Sequence, residues 1–93
     1  MDIAHDSFIW NDRKEKINKI KHRIDFVTAA KVFNDAKRKI FVDSKHSNRE
    51  ERLFCVGKVG KKIITVRFTY RENKIRIIGA GYWRKGKKYY EEV

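Results

Sequence analysis

The sequence predicts an α+β fold, with two N-terminal helices packed on an antiparallel sheet of about four strands. Three observations carry that expectation. Apolar residues recur at helical spacing in the first third of the chain and alternate with a period of two from Ile40 onward. Proline is absent, and the later apolar runs are separated by short polar or glycine-bearing clusters suited to hairpins. With 41% hydrophobic and 13% aromatic residues in 93, there is apolar material for one packed interior and length for a single domain, residues 1–93.

The "FIW" run at residues 8–10 reads either as a short strand or as a hydrophobic staple ahead of a helix. Asn11 or Asp12 can N-cap that helix, and Glu15, three residues after Asp12, would complete a capping box. The helix is expected to run to about His22. Its apolar stripe is Ile17, Ile20 and Ile24, expected against the core, with Lys16, Lys19 and Arg23 on the far side. Asp25 can cap a second helix whose Phe26, Ala29, Ala30 and Phe33 share one flank, and the brief connection implies an αα-hairpin or corner.

The strands are expected in "KIFVD", "RLFCVGKV", "KIITVRFTY" and "KIRIIGA", each rich in β-branched and aromatic residues. In the third, Ile64, Val66, Phe68 and Tyr70 share one face, and Thr65, Arg67 and Thr69 the other. One face should pack on helices and the other stay polar. Gly79 and Gly81 suggest a bulge or close approach that lets the Tyr82 and Trp83 rings fold over the sheet. A short C-terminal helix is expected after Gly86.

Charge narrows the function. Twenty-four Lys and Arg against 12 Asp and Glu give a formal net charge of +12, a field that draws polyanions, and nucleic acid is the default partner. No apolar run approaches the roughly 20 residues of a membrane span, and no cleavable leader is visible, so a soluble cytoplasmic protein without a membrane role is expected. Cys55 is alone, which excludes an internal disulfide, and alternation marks it as a small buried strand residue. His5, His22 and His46 show no metal-ligand spacing, and no metal or other cofactor is expected.

Several enzyme classes drop out. His46 and Ser47 are adjacent in an extended segment without a nucleophile elbow, so they read as loop-holding residues. "GAGYWRKG" has Arg84 where a dinucleotide fingerprint needs glycine. What remains is a stripe of Lys14, Asn18, Lys21 and His22 at i, i+4, i+7 and i+8, on a flank of the first helix beside the isoleucines. A half-desolvated histidine among lysines can carry a proton toward a phosphate, although a histidine in a last helical turn also commonly just meets the terminal carbonyls. Later, Arg67, Arg71, Arg76, Arg84 and Lys85 interleave with Tyr82, Trp83, Tyr89 and Tyr90, the mixture of cations and flat rings that single-stranded RNA requires.

Over nearly its whole length the chain resembles the BrnT-type toxins of bacterial type II toxin-antitoxin systems, small ribonucleases of RelE-like fold. The resemblance rests on "WNDRKEKINKIKHRIDF" (residues 10–26), "A-x-x-V-F-N-D" (29–35), "DSKHSNREER" (43–52) and "IRIIGA" (75–80), and it falls on Lys14, Asn18, Lys21 and His22. It implies two helices on a small antiparallel sheet, arrest of translation through RNA cleavage, messenger RNA as substrate with or without the ribosome, and a cognate BrnA-like antitoxin. Three positions depart from the family's pattern. Asn11 stands for its Asp, Arg23 for the Gly after Lys-His, and Gly81 for an Arg after the last strand, leaving two readings: Arg84 substitutes for it in space, or the chain uses a variant site.

The expected chemistry is metal-independent: the 2′-OH attacks its own phosphate to leave a 2′,3′-cyclic phosphate and a 5′-OH. His22 is the expected proton carrier, with Tyr82 or Tyr90 as stand-ins, and Lys21, Arg67 and Arg76 stabilise developing charge. Lys14, Asn18, Arg71, Arg84, Lys85 and Tyr90 are the expected RNA contacts. Two other readings of a basic chain are a non-catalytic RNA-binding or ribosome-associated module, and an interaction protein whose surface holds an acidic antitoxin segment.

Overall fold

The computed structural model describes residues 2–5, 7–46 and 48–92. Along the chain lie β1 (Asp2–His5), β2 (Phe8–Asn11), α1 (Asp12–His22), α2 (Phe26–Ala30) with a 3₁₀ extension (Lys31–Asn34), β3 (Lys39–Val42), a 3₁₀ turn (Ser44–His46), β4 (Leu53–Val59), β5 (Lys62–Arg71), β6 (Lys74–Gly81) and α3 (Arg84–Glu91). The strands form one sheet in the order β1-β2-β6-β5-β4-β3. The four expected runs are β3 to β6, joined as an antiparallel meander.

The sheet is larger than expected and mixed. β1 pairs antiparallel with β2, and β2 lies parallel to β6, with Phe8, Ile9 and Trp10 beside Ile75, Arg76 and Ile77. A run of three apolar residues is too short to display a period, and its partner strand lies at the other end of the chain. The β5–β6 turn places Glu72 and Asn73 at φ 53° and 64°, the doubly left-handed geometry that matches strand twist in a two-residue hairpin.

The core lies between the sheet and α2 with its 3₁₀ extension: Trp10, Phe26, Ala29, Val32, Ile64, Val66, Phe68 and Ile77 are buried together. Trp10 and Phe26 meet edge to face with centroids 6.1 Å apart. Asp25 caps α2, accepting from the Thr28 N–H at 2.7 Å, and that bond lowers its carboxyl pKa. Cys55 is fully buried, and burial pushes its thiol up to about 12.

The helix α1 departs from the expected phase. Of its isoleucine stripe only Ile24 is buried, while Ile17 and Ile20 are 46% and 81% exposed. Asn11 both ends β2 and caps α1, accepting from the N–H groups of Arg13 and Lys14, so the strand fixes how the helix is turned. Ile24 lies past a left-handed Arg23 and no longer follows the helical count. Glu15, expected to complete a capping box with Asp12, accepts from the Phe26 N–H at 2.9 Å and so ties α1 to α2.

The opposite face of the sheet is not left polar. Helix α3 begins at Arg84 rather than after Gly86, and Gly86 is the contact point, since a Cβ there would stand 1.9 Å from Thr65 Oγ1. Lys39 Nζ donates to the carbonyls of Tyr89 and Glu92, satisfying the helix's last turn. Ser47 and the His46 side chain, expected to hold a loop, lie outside the described residues.

Candidate functional site

The pairing of β2 with β6 stops at Ile77, and α1 takes over beside the rest of β6. Asn18, buried in mid-helix, makes that junction. Its Oδ1 accepts the Ala80 N–H at 3.0 Å, and its Nδ2 donates to the Ile24 carbonyl at 3.0 Å. Just before Ala80 the register of β5 and β6 slips: Arg67 pairs with Gly79 and Phe68 with Ile77, leaving Ile78 as an extra residue. Bulges of this kind re-aim side chains and gather near functional sites. Here the residue opposite Arg67, Gly79, has no side chain, which leaves room between Arg67 and the helix.

A hollow of about 220 Å³ lies at this point, lined by Lys14, Asn18, Lys21 and His22 of α1 with Arg67 and Trp83. The α1 stripe and one of the expected sheet arginines are therefore brought together. Trp83 sits there because Gly81 leaves room; a Cβ at Gly81 would come within 2.9 Å of the indole. The indole in turn meets the His22 ring at 5.5 Å between centroids. The Arg67 guanidinium lies 5.6 Å from the Phe54 ring centroid, and its Nε faces Asp43 Oδ2 at 3.8 Å, too far for a hydrogen bond. That Nε is buried without a hydrogen-bond partner among the described residues. The Arg67 guanidinium, lining a hollow flanked by two lysines, is suited to an anionic oxygen.

The remaining expected residues lie elsewhere. Arg76 shares the face of Arg67, paired across from Thr69, but does not line the hollow. Tyr82 turns away and carries Lys62 Nζ over its ring at 5.4 Å. Arg84 lines a separate surface recess beside Lys87 and does not line the hollow. Arg71 pairs with Glu50 at 3.3 Å. Tyr90 donates its hydroxyl to Asp35 at 2.5 Å, which raises its pKa, and the bond occupies it in holding α3. Lys85 lines a second, larger hollow of about 610 Å³ that shares Arg67 and Trp83 with the first.

Trp83 was expected to fold its ring over the sheet, whereas Asp43, which faces Arg67 from the wall of the larger hollow, was not singled out by composition or spacing. The glycines at 79 and 81 were the available signal for Trp83; for Asp43 there was none, because its approach to Arg67 depends on how β3 and β5 flank β4.

A basic α+β domain with a bulged sheet strand, a helix-borne histidine and converging cations defines a polyanion-handling protein. The family model for the ribonuclease toxin BrnT of type II toxin-antitoxin systems matches residues 10–86, and the chain belongs to that family. Membership makes RNA its substrate class and an antitoxin its partner. No curated protein sequence matches the chain. None of the described helices is long and apolar enough to cross a membrane.

Proposed function

We propose that the hollow beside α1 is where RNA is cut, and that the cut needs no metal. The observation that carries this reading is the convergence of His22, Lys21, Lys14 and Arg67 on one recess, none of whose lining residues is a carboxylate. A phosphodiester seated there would place its non-bridging oxygens against the Arg67 guanidinium and the two ammonium groups. The 2′-oxygen attacks the neighbouring phosphorus while its proton passes to the His22 imidazole. The P–O5′ bond breaks, and the 5′-oxygen leaves as a hydroxyl after protonation from water at the open mouth. The products are a 2′,3′-cyclic phosphate and a 5′-OH. Charge that grows on the phosphorane is met by fixed cations, the largest single source of rate enhancement for such a step.

Arg76, on the same sheet face, and Lys85 extend the cationic track for flanking phosphates. Tyr82 and Tyr90 carry no proton in this scheme, because one faces away and the other is bonded to Asp35. Messenger RNA is the substrate whose loss stops translation, and a BrnA-like antitoxin neutralises the toxin.

Incubating the chain with RNA in EDTA and mapping the ends tests this. The parent yields new 5′-OH ends; His22→Gln lowers the rate by about 10²–10⁴-fold and Arg67→Ala by about 10²–10³-fold, with a smaller effect from Arg76→Ala. Cleavage by His22→Gln at the parental rate sinks the site. Cleavage that EDTA abolishes and Mg²⁺ restores sinks the metal-free route. Intact RNA held by strongly salt-sensitive binding identifies a non-catalytic module instead.

A further inference from the structure

The isoleucines that α1 turns to water are not scattered. Ile17 and Ile20 are i, i+3 neighbours, 46% and 81% exposed. Arg13, Lys14 and Lys21 stand at i−4, i−3 and i+4 from Ile17, and Lys16 stands at i−4 from Ile20; all four are exposed. At roughly 100° per residue the set spans about 160°, less than half of the helix circumference. Asp12 and Glu15, the two acids of α1, fall on the other side, and Glu15 is bonded to the Phe26 N–H. The outer face of α1 is therefore an aliphatic ridge ringed by cations, with no carboxylate of the helix among them. Ile17 also lines the smaller hollow beside Lys14 and Lys21, so ridge and hollow form one continuous surface.

Resting, for its inhibitory effect, on the reading of that hollow as the cleavage site, we infer that the ridge is where the antitoxin docks. The docking element is an acidic amphipathic segment whose aliphatic side chains cover Ile17 and Ile20 and whose carboxylates meet the four cations. Seated there, it lies across the mouth of the hollow and shuts out RNA. Chemistry selects this occupant over two others. RNA would use the cations, but its splayed bases stack on flat rings, and two branched aliphatic side chains offer none. A second copy of the chain, related by a two-fold axis, would set this ring of cations against its twin in a molecule whose net charge is already +12. An acidic segment with apolar residues at helical spacing matches ridge and ring together. It also removes Ile20 from water, a gain that no phosphate supplies. Membership of a toxin-antitoxin family provides the protein partner that such a surface needs.

The test titrates the cognate antitoxin, the product of the adjoining reading frame, onto the full chain. Ile20→Lys removes the most exposed residue of the ridge while adding a cation. It should weaken antitoxin binding by about tenfold or more, and the toxin alone should still cut RNA at the parental rate. Arg13→Glu combined with Lys16→Glu should weaken binding by about tenfold and flatten its salt dependence. A benzoylphenylalanine crosslinker replacing Ile20 should capture the antitoxin at a segment rich in Asp, Glu and aliphatic residues. The same group replacing Val42, 51% exposed on the edge strand β3 at the far side of the sheet, should not. Thermal melting confirms that each variant is folded. Parental antitoxin affinity in either variant, or capture from position 42 and not from position 20, overturns the inference. So does a chain that is dimeric alone and monomeric as Ile20→Lys, since the ridge would then serve a second copy. Failure of the cleavage-site reading is seen separately, in His22→Gln cutting RNA like the parent, and leaves these affinity ratios as they are.

Discussion

The imidazole of His22 meets the indole of Trp83 at 5.5 Å between centroids with planes inclined at 66°. This contact joins the last turn of α1 to the segment leaving β6, so it sets where the half-buried histidine points. Trp83→Ala should leave a folded protein whose rate of RNA cleavage falls by about 10²-fold, because a catalytic group displaced by about 1 Å loses that much. Trp83→Phe, which keeps a ring edge against the imidazole, should retain most of the rate. Single-turnover cleavage gives the rate, and the His22 ring resonances in NMR report the displacement. A Trp83→Ala protein that cuts normally while those resonances shift would show that orientation of His22 is unimportant.

Asn18 was expected to touch RNA, yet its amide is spent on Ile24 and Ala80. Its role in the structure is to fasten α1 to the bulged end of β6. Asn18→Ala would strand a buried carbonyl and a buried N–H, costing about 2–4 kcal/mol and lowering Tm by more than about 10 °C. Asn18→Asp keeps the acceptor for Ala80 but loses the donor to Ile24, so it should not rescue. A differential scanning measurement decides the matter: if Asn18→Ala melts like the parent but binds RNA weakly, the residue is a ligand contact after all.

What the sequence could show depended on how local the signal was. The meander from β3 to β6 was legible because each strand is next to its partner in the chain and carries its own period. The N-terminal strands were not, because β2 is too short to alternate and finds β6 across more than half the chain. The isoleucines of α1 misled for a related reason. The turn of that helix is fixed by the Asn11 cap and by two buried amide bonds of Asn18, and these outweigh exposing Ile17 and Ile20. At the site, the helix stripe follows from spacing alone, so Lys14, Lys21 and His22 were found together. Arg67, unlike Arg76, joins them only because a bulge and Gly79 open the strand between, which no periodicity reveals.

Arg23 ends α1 in the left-handed region, φ 59° and ψ 33°, with its N–H donating to the Lys19 carbonyl. The family's pattern has glycine at this position, the residue with no Cβ penalty in that conformation. Arg23→Gly should therefore raise stability by about 1 kcal/mol, seen as a Tm higher by roughly 4–8 °C. Arg23 does not line the hollow, so the cleavage rate should hold within a few fold. An unchanged or lower Tm would mean that the arginine side chain makes a contact strong enough to offset the strain.

Asp35 accepts from the Tyr90 hydroxyl and from the N–H groups of Lys37 and Lys58, and these bonds, Tyr90 first, hold its carboxyl below the ordinary carboxylate range. The same hydrogen bond raises the Tyr90 hydroxyl above its ordinary value. A depressed carboxyl stabilises the fold above the unfolded pKa near 4, and that contribution is lost as pH falls through the lower folded value. A raised phenol does the reverse: its contribution is complete below the unfolded pKa near 10 and is lost as pH rises through the higher folded one. Tyr90→Phe removes the shared bond, so it should lower stability by about 1 kcal/mol at neutral pH, the small value expected for a solvent-screened pair. Plotted against pH, the difference between parent and variant should form a plateau from roughly pH 5 to pH 9 and shrink toward both ends. Melting curves across that range check it, and a difference that does not shrink in acid would show that Asp35 is not the partner whose charge makes the bond count.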